Sequence, residues 1–166
     1  MIKKCIPNML TLSNLSLGIL SIIEVMNKNY FMAAVFIIAA AFVDRYDGKA
    51  ARAFNVSSEI GKQLDSLSDL VSFGVAPAIL VLFRYDLNSS LICLGIMIFY
   101  ILCGCYRLAR YNVSIFEGEF CGVPITICGI VLAVLSFINI NTKVMPAVIM
   151  VLFGYLMVSK LKLKKI

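Results

Sequence analysis

The sequence predicts an all-α polytopic membrane protein, with six transmembrane helices and a short N-terminal interfacial segment in a single domain over residues 1–166. Three observations predict it. The 166 residues are 61% hydrophobic and only 14% charged, against the roughly 25% charged residues of a typical soluble domain. Mean hydropathy is +0.97. The apolar residues fall in repeated long runs rather than in the period-two alternation of a membrane β-barrel. In hydrocarbon a backbone must satisfy its own polar groups, and with the barrel set aside that leaves the helix.

Spans are expected at Leu10–Met26, Tyr30–Val43, Leu67–Phe83, Leu91–Cys105, Val123–Ile140 and Val144–Ser159. Several sit near the short end of the ~17–25 residues that cross a bilayer. The second is expected to stay helical through Arg52, because no Pro or turn cluster interrupts it. Short connections follow at Asn27-Lys28-Asn29, from Arg84 to Ser90 and from Asn139 to Lys143. The segment Met1–Asn8 is basic and partly apolar, and is expected to lie along the interface until Pro7 turns it into the first span. The first apolar run lacks a small-residue cleavage site and reads as a retained helix.

Charge sets the expected orientation. Lys3, Lys4, Arg45, Lys49, Arg52, Lys62, Arg107, Arg110, Lys160, Lys162, Lys164 and Lys165 fall on one side, and only Lys28, Arg84 and Lys143 on the other. The positive-inside rule then puts both termini in the cytoplasm of a multi-pass cell-membrane protein. The net charge of +6 is explained by this topology and by attraction to anionic headgroups, so no nucleic-acid partner is implied. The lysines of the C-terminal Lys-Leu-Lys-Leu-Lys-Lys run are expected to be a solvated anchor.

The residue inventory restricts the chemistry. Six Cys are present with no CxxC pair, and there is no His, so a zinc site and His-based proton transfer are both disfavoured. The Cys residues read as small apolar packing residues. Proton transfer is left to a carboxylate, Lys, Tyr, Cys or water.

Four of the five Asp fall in one window, Asp44, Asp47, Asp65 and Asp69. Asp44, Asp47 and Ala51 share a helical face, with Gly48 and Arg52 beside it. Gly61, Asp65 and Asp69 share a face of the next helix. Packed together, the two faces bring four carboxylates beside three small residues, which leave room for a flat group such as a nucleotide. Two carboxylates ~4 Å apart repel by about 4 kcal/mol at an effective dielectric near 20. Divalent cations, which take oxygen ligands and bridge carboxylates to phosphates, relieve that repulsion. Taken singly, each Asp would read as a solvated residue or a helix cap.

The spacing Asp44-x2-Asp47-Gly48-x2-Ala51-Arg52-x8-Gly61-x3-Asp65-x3-Asp69 resembles the signature of the CDP-alcohol phosphatidyltransferases at all eight fixed positions over 26 residues. The six-span layout is similar too. The resemblance implies a homodimeric enzyme that holds a CDP-linked lipid and divalent metal, Mg²⁺ or Mn²⁺ in two sites. It implies metal ligands at Asp44, Asp47, Asp65 and Asp69, with Asp69 also the general base. It implies CDP contacts at Gly48, Ala51, Arg52, Gly61 and Asp65. The stretch Pro7-Asn8-Met9-Leu10-Thr11-Leu12-Ser13-Asn14 resembles the family's N-terminal stretch, so Asn8 and Thr11 join the nucleotide set and Asn14 is a further candidate to line it. Helix capping is the competing reading of Asn8, Thr11 and Asn14.

The segments Gly61–Ala78, Tyr106–Asn112 and Phe120–Pro124 resemble the serine-accepting branch, which makes L-serine the expected acceptor. Ile125-Thr126 after Pro124 departs from that branch. Arg107 and Arg110 are candidates for the serine carboxylate and Asn112 for its ammonium; a plain positive-inside anchor is the alternative for the two arginines. Glycerol 3-phosphate or inositol phosphate as acceptor, and a cation channel or carrier lined by the Asp cluster, are the competing functions. Glu59, Glu117 and Glu119 read as solvated loop acids.

Overall fold

Six helical rods pack side by side in the computed structural model, which describes residues 2–53, 59–113, 120–138, 142–159 and 162–163, with side chains described from Asn8 to Tyr46, Glu59 to Val113, Gly122 to Ile138 and Thr142 to Ser159. The rods are α1 (Ile2–Met26), α2 (Tyr30–Ala53), a broken third rod, α5 (Leu91–Val113), α6 (Ile125–Leu135) and α7 (Val144–Val158). The third rod is α3 (Glu59–Asp69), a π-helical segment (Leu70–Val75) and α4 (Ala76–Arg84) end to end. Three helices are long and apolar enough to cross a membrane, at Asn8–Met26, Glu59–Arg84 and Leu91–Val113, and α6 and α7 are shorter apolar helices. The chain is thus a polytopic helical membrane protein. The only extended structure among the described residues is a two-residue antiparallel pair, Phe120–Cys121 (β1) with Lys162–Leu163 (β2).

Helix faces follow the sequence. Along α1 the buried stripe is Thr11, Asn14, Gly18, Ser21 and Val25, alternating steps of three and four. Along α2 it is Ala33, Ile37 and Ala40, which Asp44 continues one turn on. Along α5 it is Tyr100, Cys103, Gly104, Arg107 and Leu108. Small residues let α1 and α2 approach closely enough for the Ser21 hydroxyl to donate to the Ala33 carbonyl at 2.9 Å. Other serines in apolar surroundings satisfy themselves one turn back: Ser13 Oγ donates to Met9 O (2.8 Å), Ser16 Oγ to Leu12 O (2.8 Å) and Ser68 Oγ to Leu64 O (2.9 Å).

The π-helical segment has an identifiable cause. Pro77 has no N–H, so the Phe73 carbonyl one turn earlier loses its α-helical donor. The wholly buried Tyr100 hydroxyl of α5 donates to that carbonyl instead, at 3.1 Å. The widened backbone is gripped on two sides by glycines. A Cβ on Gly129 of α6 would lie 2.8 Å from the Phe73 Cα and carbonyl oxygen, and one on Gly18 of α1 would lie 2.9 Å from the Ser72 Cα.

Two boundaries differ from the sequence reading. The chain does not turn at Pro7: α1 runs unbroken from Ile2. Pro7 is the sixth residue of α1, so the helix forfeits the one bond that an N–H there would give to the Lys3 carbonyl, while the fixed proline φ is itself helical. Asn8, Thr11 and Asn14 are therefore helix-interior residues, not caps. The fifth rod, expected over Val123–Ile140, is an 11-residue helix that ends at Leu135. Its end is drawn out by side chains: Ser136 Oγ donates to Ala133 O (2.6 Å), Tyr85 Oη to Leu135 O (2.6 Å) and Arg84 Nε to Ser136 O (3.1 Å). Burial among these groups raises the Tyr85 hydroxyl above its ordinary pKa. The same end of the bundle holds the exposed Lys143–Asp86 pair at 2.9 Å, worth little in water.

The close fit at the π-helical segment predicts that Gly129→Val destabilises the protein by about 1–3 kcal/mol through overpacking against immovable backbone. The check is a lowered thermal melting temperature in detergent. Val131→Leu, at an exposed position of the same helix, is the control expected to leave melting unchanged.

Candidate functional site

Asp44 of α2 and Asp65 and Asp69 of α3 bring one carboxylate oxygen each within 4.8 Å of one another. Asp44 arrives because it extends the buried stripe of α2. Asp65 and Asp69 arrive because they are one turn apart on α3, just before the backbone widens. Asp69 is the most enclosed of the three, with Asp44, Asp65 and Arg107 all within electrostatic reach. Asp47, Gly48, Ala51 and Arg52 lie on the helical backbone of α2, but their side chains fall outside the described residues. So do Glu117 and Glu119. Gly61 lies on α3, one turn before Asp65. Glu59 begins α3 and is exposed, as expected of a solvated acid.

The first helix supplies a contact to Asp69 that the sequence reading, which set Asn14 at the nucleotide site or at a helix cap, did not specify. Asn14, fully buried, donates from Nδ2 to Asp69 Oδ1 at 3.2 Å. Its backbone carbonyl accepts from Ser72 Oγ at 3.0 Å. Thr11 is buried one turn earlier on the same stripe and Asn8 is half-buried, so the α1 residues expected to contact nucleotide share a line with Asn14. An Asn in mid-helix, three residues from Thr11 and four from Gly18, was the available signal.

The three acceptor candidates separate. Arg107 is 9% exposed, lies on the buried stripe of α5 and is within electrostatic reach of Asp69. Its Nε has no hydrogen-bond partner. Arg110 turns instead to the end of α7, with Nη1 donating to Val158 O at 3.2 Å and the guanidinium 6.0 Å from the Tyr106 ring centroid. Asn112 ties α5 to α3: Nδ2 donates to Ser66 Oγ (2.9 Å) and its backbone carbonyl accepts from Lys62 Nζ (2.8 Å). Beyond α5, Gly122 adopts φ +80°, and a Cβ there would lie 2.3 Å from the Met157 carbonyl oxygen. Val123 N donates to Leu156 O at 3.3 Å. The α5–α6 connection is thus pinned to the end of α7 by a residue only glycine accommodates.

Three convergent carboxylate oxygens are a hard donor set suited to a divalent cation. The family model for CDP-alcohol phosphatidyltransferases matches residues 4–160. The chain belongs to the CDP-alcohol phosphatidyltransferase family. Members depend on divalent cations, and the carboxylate cluster fits that requirement. The chain is 37% identical over 158 residues to a CDP-diacylglycerol–serine O-phosphatidyltransferase of Bacillus subtilis, covering 95% of this chain and 88% of that one. It is 34% identical over 166 residues to the protein of the same name from Helicobacter pylori, covering 94% and 70%. It is 34% identical over 165 residues to an archaetidylserine synthase of Methanothermobacter thermautotrophicus, covering 97% and 70%.

This transferase-family site predicts that Mg²⁺ or Mn²⁺ raises the melting temperature of the purified protein. Saturation at about 100 times the dissociation constant corresponds to about 2.7 kcal/mol. In Asp44→Asn and Asp65→Asn most of that shift is lost, which a metal titration followed by thermal melting measures.

Proposed function

We propose that this chain transfers the phosphatidyl group of a CDP-linked lipid, diacyl or isoprenoid-ether, to the hydroxyl of L-serine and releases CMP. The observation that carries the reading is the meeting of Asp44, Asp65 and Asp69 on two packed helices within 4.8 Å, in a chain whose relatives are named for serine transfer.

Asp44, Asp47, Asp65 and Asp69 hold two divalent cations, Mg²⁺ or Mn²⁺. When bound, these neutralise the diphosphate and polarise its bridging bond. Gly48, Ala51, Arg52, Gly61 and Asp65, with Asn8 and Thr11 from α1, hold the CDP moiety. Asp69 accepts the proton of the serine hydroxyl. The freed oxygen bonds to the lipid-side phosphorus, and the phosphorus–oxygen bond to CMP breaks with its electron pair leaving on CMP. Asn14 keeps the Asp69 carboxylate in one orientation, so catalysis is chiefly positioning and charge neutralisation.

Arg107 is the acceptor-side cation that the geometry favours, because it is within electrostatic reach of Asp69 from α5 and retains an unused donor. Arg110 and Asn112, which the serine-branch resemblance also implicates, frame that end of the site by holding α7 and α3. Lys28, Arg84 and Lys143 sit at or beside the connections opposite the Asp-bearing end, which supports a cytoplasmic site with both termini on the same side. A homodimer completes the reading, on the family resemblance.

Purified protein with CDP-diacylglycerol and Mg²⁺ or Mn²⁺ is expected to release CMP only when L-serine is present, and not with glycerol 3-phosphate or inositol phosphate. Release that tracks one of those acceptors, or ion flux in liposomes without any CMP, overturns the reading. Asp69→Asn is expected to lower turnover by about 10²–10⁴-fold with melting little changed, the range for loss of a general base.

A further inference from the structure

We infer that Asn14 is a specificity-determining residue of the acceptor site: its amide N–H₂ holds Asp69 while its side-chain carbonyl accepts a hydrogen bond from the ammonium of the incoming amino alcohol. The inference rests on the serine-transfer reading above and extends it to a residue outside the eight-position Asp signature.

The chemistry of the contact fixes the orientation of the amide. Asp69 as a carboxylate can only accept, so the Asn14 atom 3.2 Å from its Oδ1 is the donor Nδ2, and the Asn14 carbonyl Oδ1 points elsewhere. That oxygen is buried and without a partner. Only one other buried side-chain nitrogen or oxygen among the described residues is in the same condition, Arg107 Nε. Both residues interact with Asp69. One orphan acceptor therefore sits on a residue bonded to Asp69, and one orphan donor on a residue within its electrostatic reach. Buried polar atoms of this kind are costly to leave unpaired.

L-Serine carries a group for each of the three. Its ammonium donates to Asn14 Oδ1, its carboxylate accepts from Arg107, and its hydroxyl faces Asp69. Ser13, Ser16 and Ser68 close bonds within their own helices, and Asn112 is engaged with Ser66 and Gln63. Asn14 is the described asparagine whose carbonyl is enclosed beside Asp69 and still has bonding capacity.

The test separates holding Asp69 from binding ammonium. The full-length protein is assayed with L-serine and with 3-hydroxypropanoate, which keeps the hydroxyl and carboxylate and lacks the ammonium. Asn14→Leu is expected to slow both reactions, because Asp69 loses its tether. It is also expected to reduce the serine preference, as the ratio of kcat/KM values, by tenfold or more. Equal losses on the two acceptors mean that water or protein satisfies the carbonyl, and overturn the inference. Asn14→Asp serves if the leucine variant does not fold: it abolishes donation to Asp69 but keeps an oxygen acceptor, so turnover falls while the serine preference persists. A lost preference in that variant also overturns the inference. No serine-dependent CMP from the unaltered protein defeats the serine-transfer reading itself, a result distinct from either.

Discussion

Three carboxylates from two helices held within 4.8 Å of one another impose the central constraint on this molecule. At an effective dielectric near 20, each such pair repels by about 4 kcal/mol, which by itself would drive α2 and α3 apart. The bundle resists through α1, which packs on both. On α2 it meets Ala33 closely enough for a Ser21 hydrogen bond. On the third rod it grips Asp69 and Ser72 through Asn14 and accepts the Ser72 backbone against Gly18. The carboxylates are thus approximated by a helix that contributes no carboxylate of its own.

The break in the third rod serves the same end. A regular α-helix from Glu59 to Arg84 would keep its faces in constant phase. The π-helical segment Leu70–Val75 shifts that phase immediately after Asp69. The acidic turn can then face α1 and α2 while the following residues, Ser72 and Phe73, pack into α1, α5 and α6. Pro77 removes a donor, Tyr100 replaces it, and Gly129 makes room for the displaced backbone. These residues come from three rods and are distant in sequence, so the segment is a tertiary feature whose only local trace is the proline.

This difference between local and tertiary causes explains what the sequence disclosed. Helix faces were legible because they depend on spacing within one helix, as with Asp65 and Asp69, and so was the run of α2 past Arg52. The family was legible because eight positions match over one stretch. Helix ends were less so. The early end of α6 depends on Arg84 and Tyr85 reaching across from another rod, and α1 runs on past a proline in its second turn, which forfeits one hydrogen bond without ending the helix. The acceptor side was legible in part. Arg107 and Arg110 look alike in sequence, three residues apart, yet the α5 stripe carries one inward to Asp69 and leaves the other for the end of α7. Asn14 looked like a possible cap or nucleotide contact, and only the packing of α1 on α3 made it a partner of Asp69.

Charge neutrality links these parts. Among the described side chains, Asp44, Asp65 and Asp69 converge, and Arg107 is the buried cation within electrostatic reach of Asp69. A single guanidinium balances one carboxylate and leaves two negative charges in surplus, and Asp47 and Arg52, proposed for the same site, cancel one another. A diphosphate diester brings about two more, so the assembled site demands about four positive charges, the charge of two divalent cations. A larger complement of fixed arginines would have met the deficit before substrate arrived, and would also have favoured a phosphorylated acceptor. With one buried arginine the deficit is left to metal, and the acceptor that suits the remaining groups is a zwitterion, whose own charges cancel and add nothing to the balance. Among the described side chains, the single buried cation beside three carboxylates therefore argues for metal dependence and accords with an amino-acid acceptor.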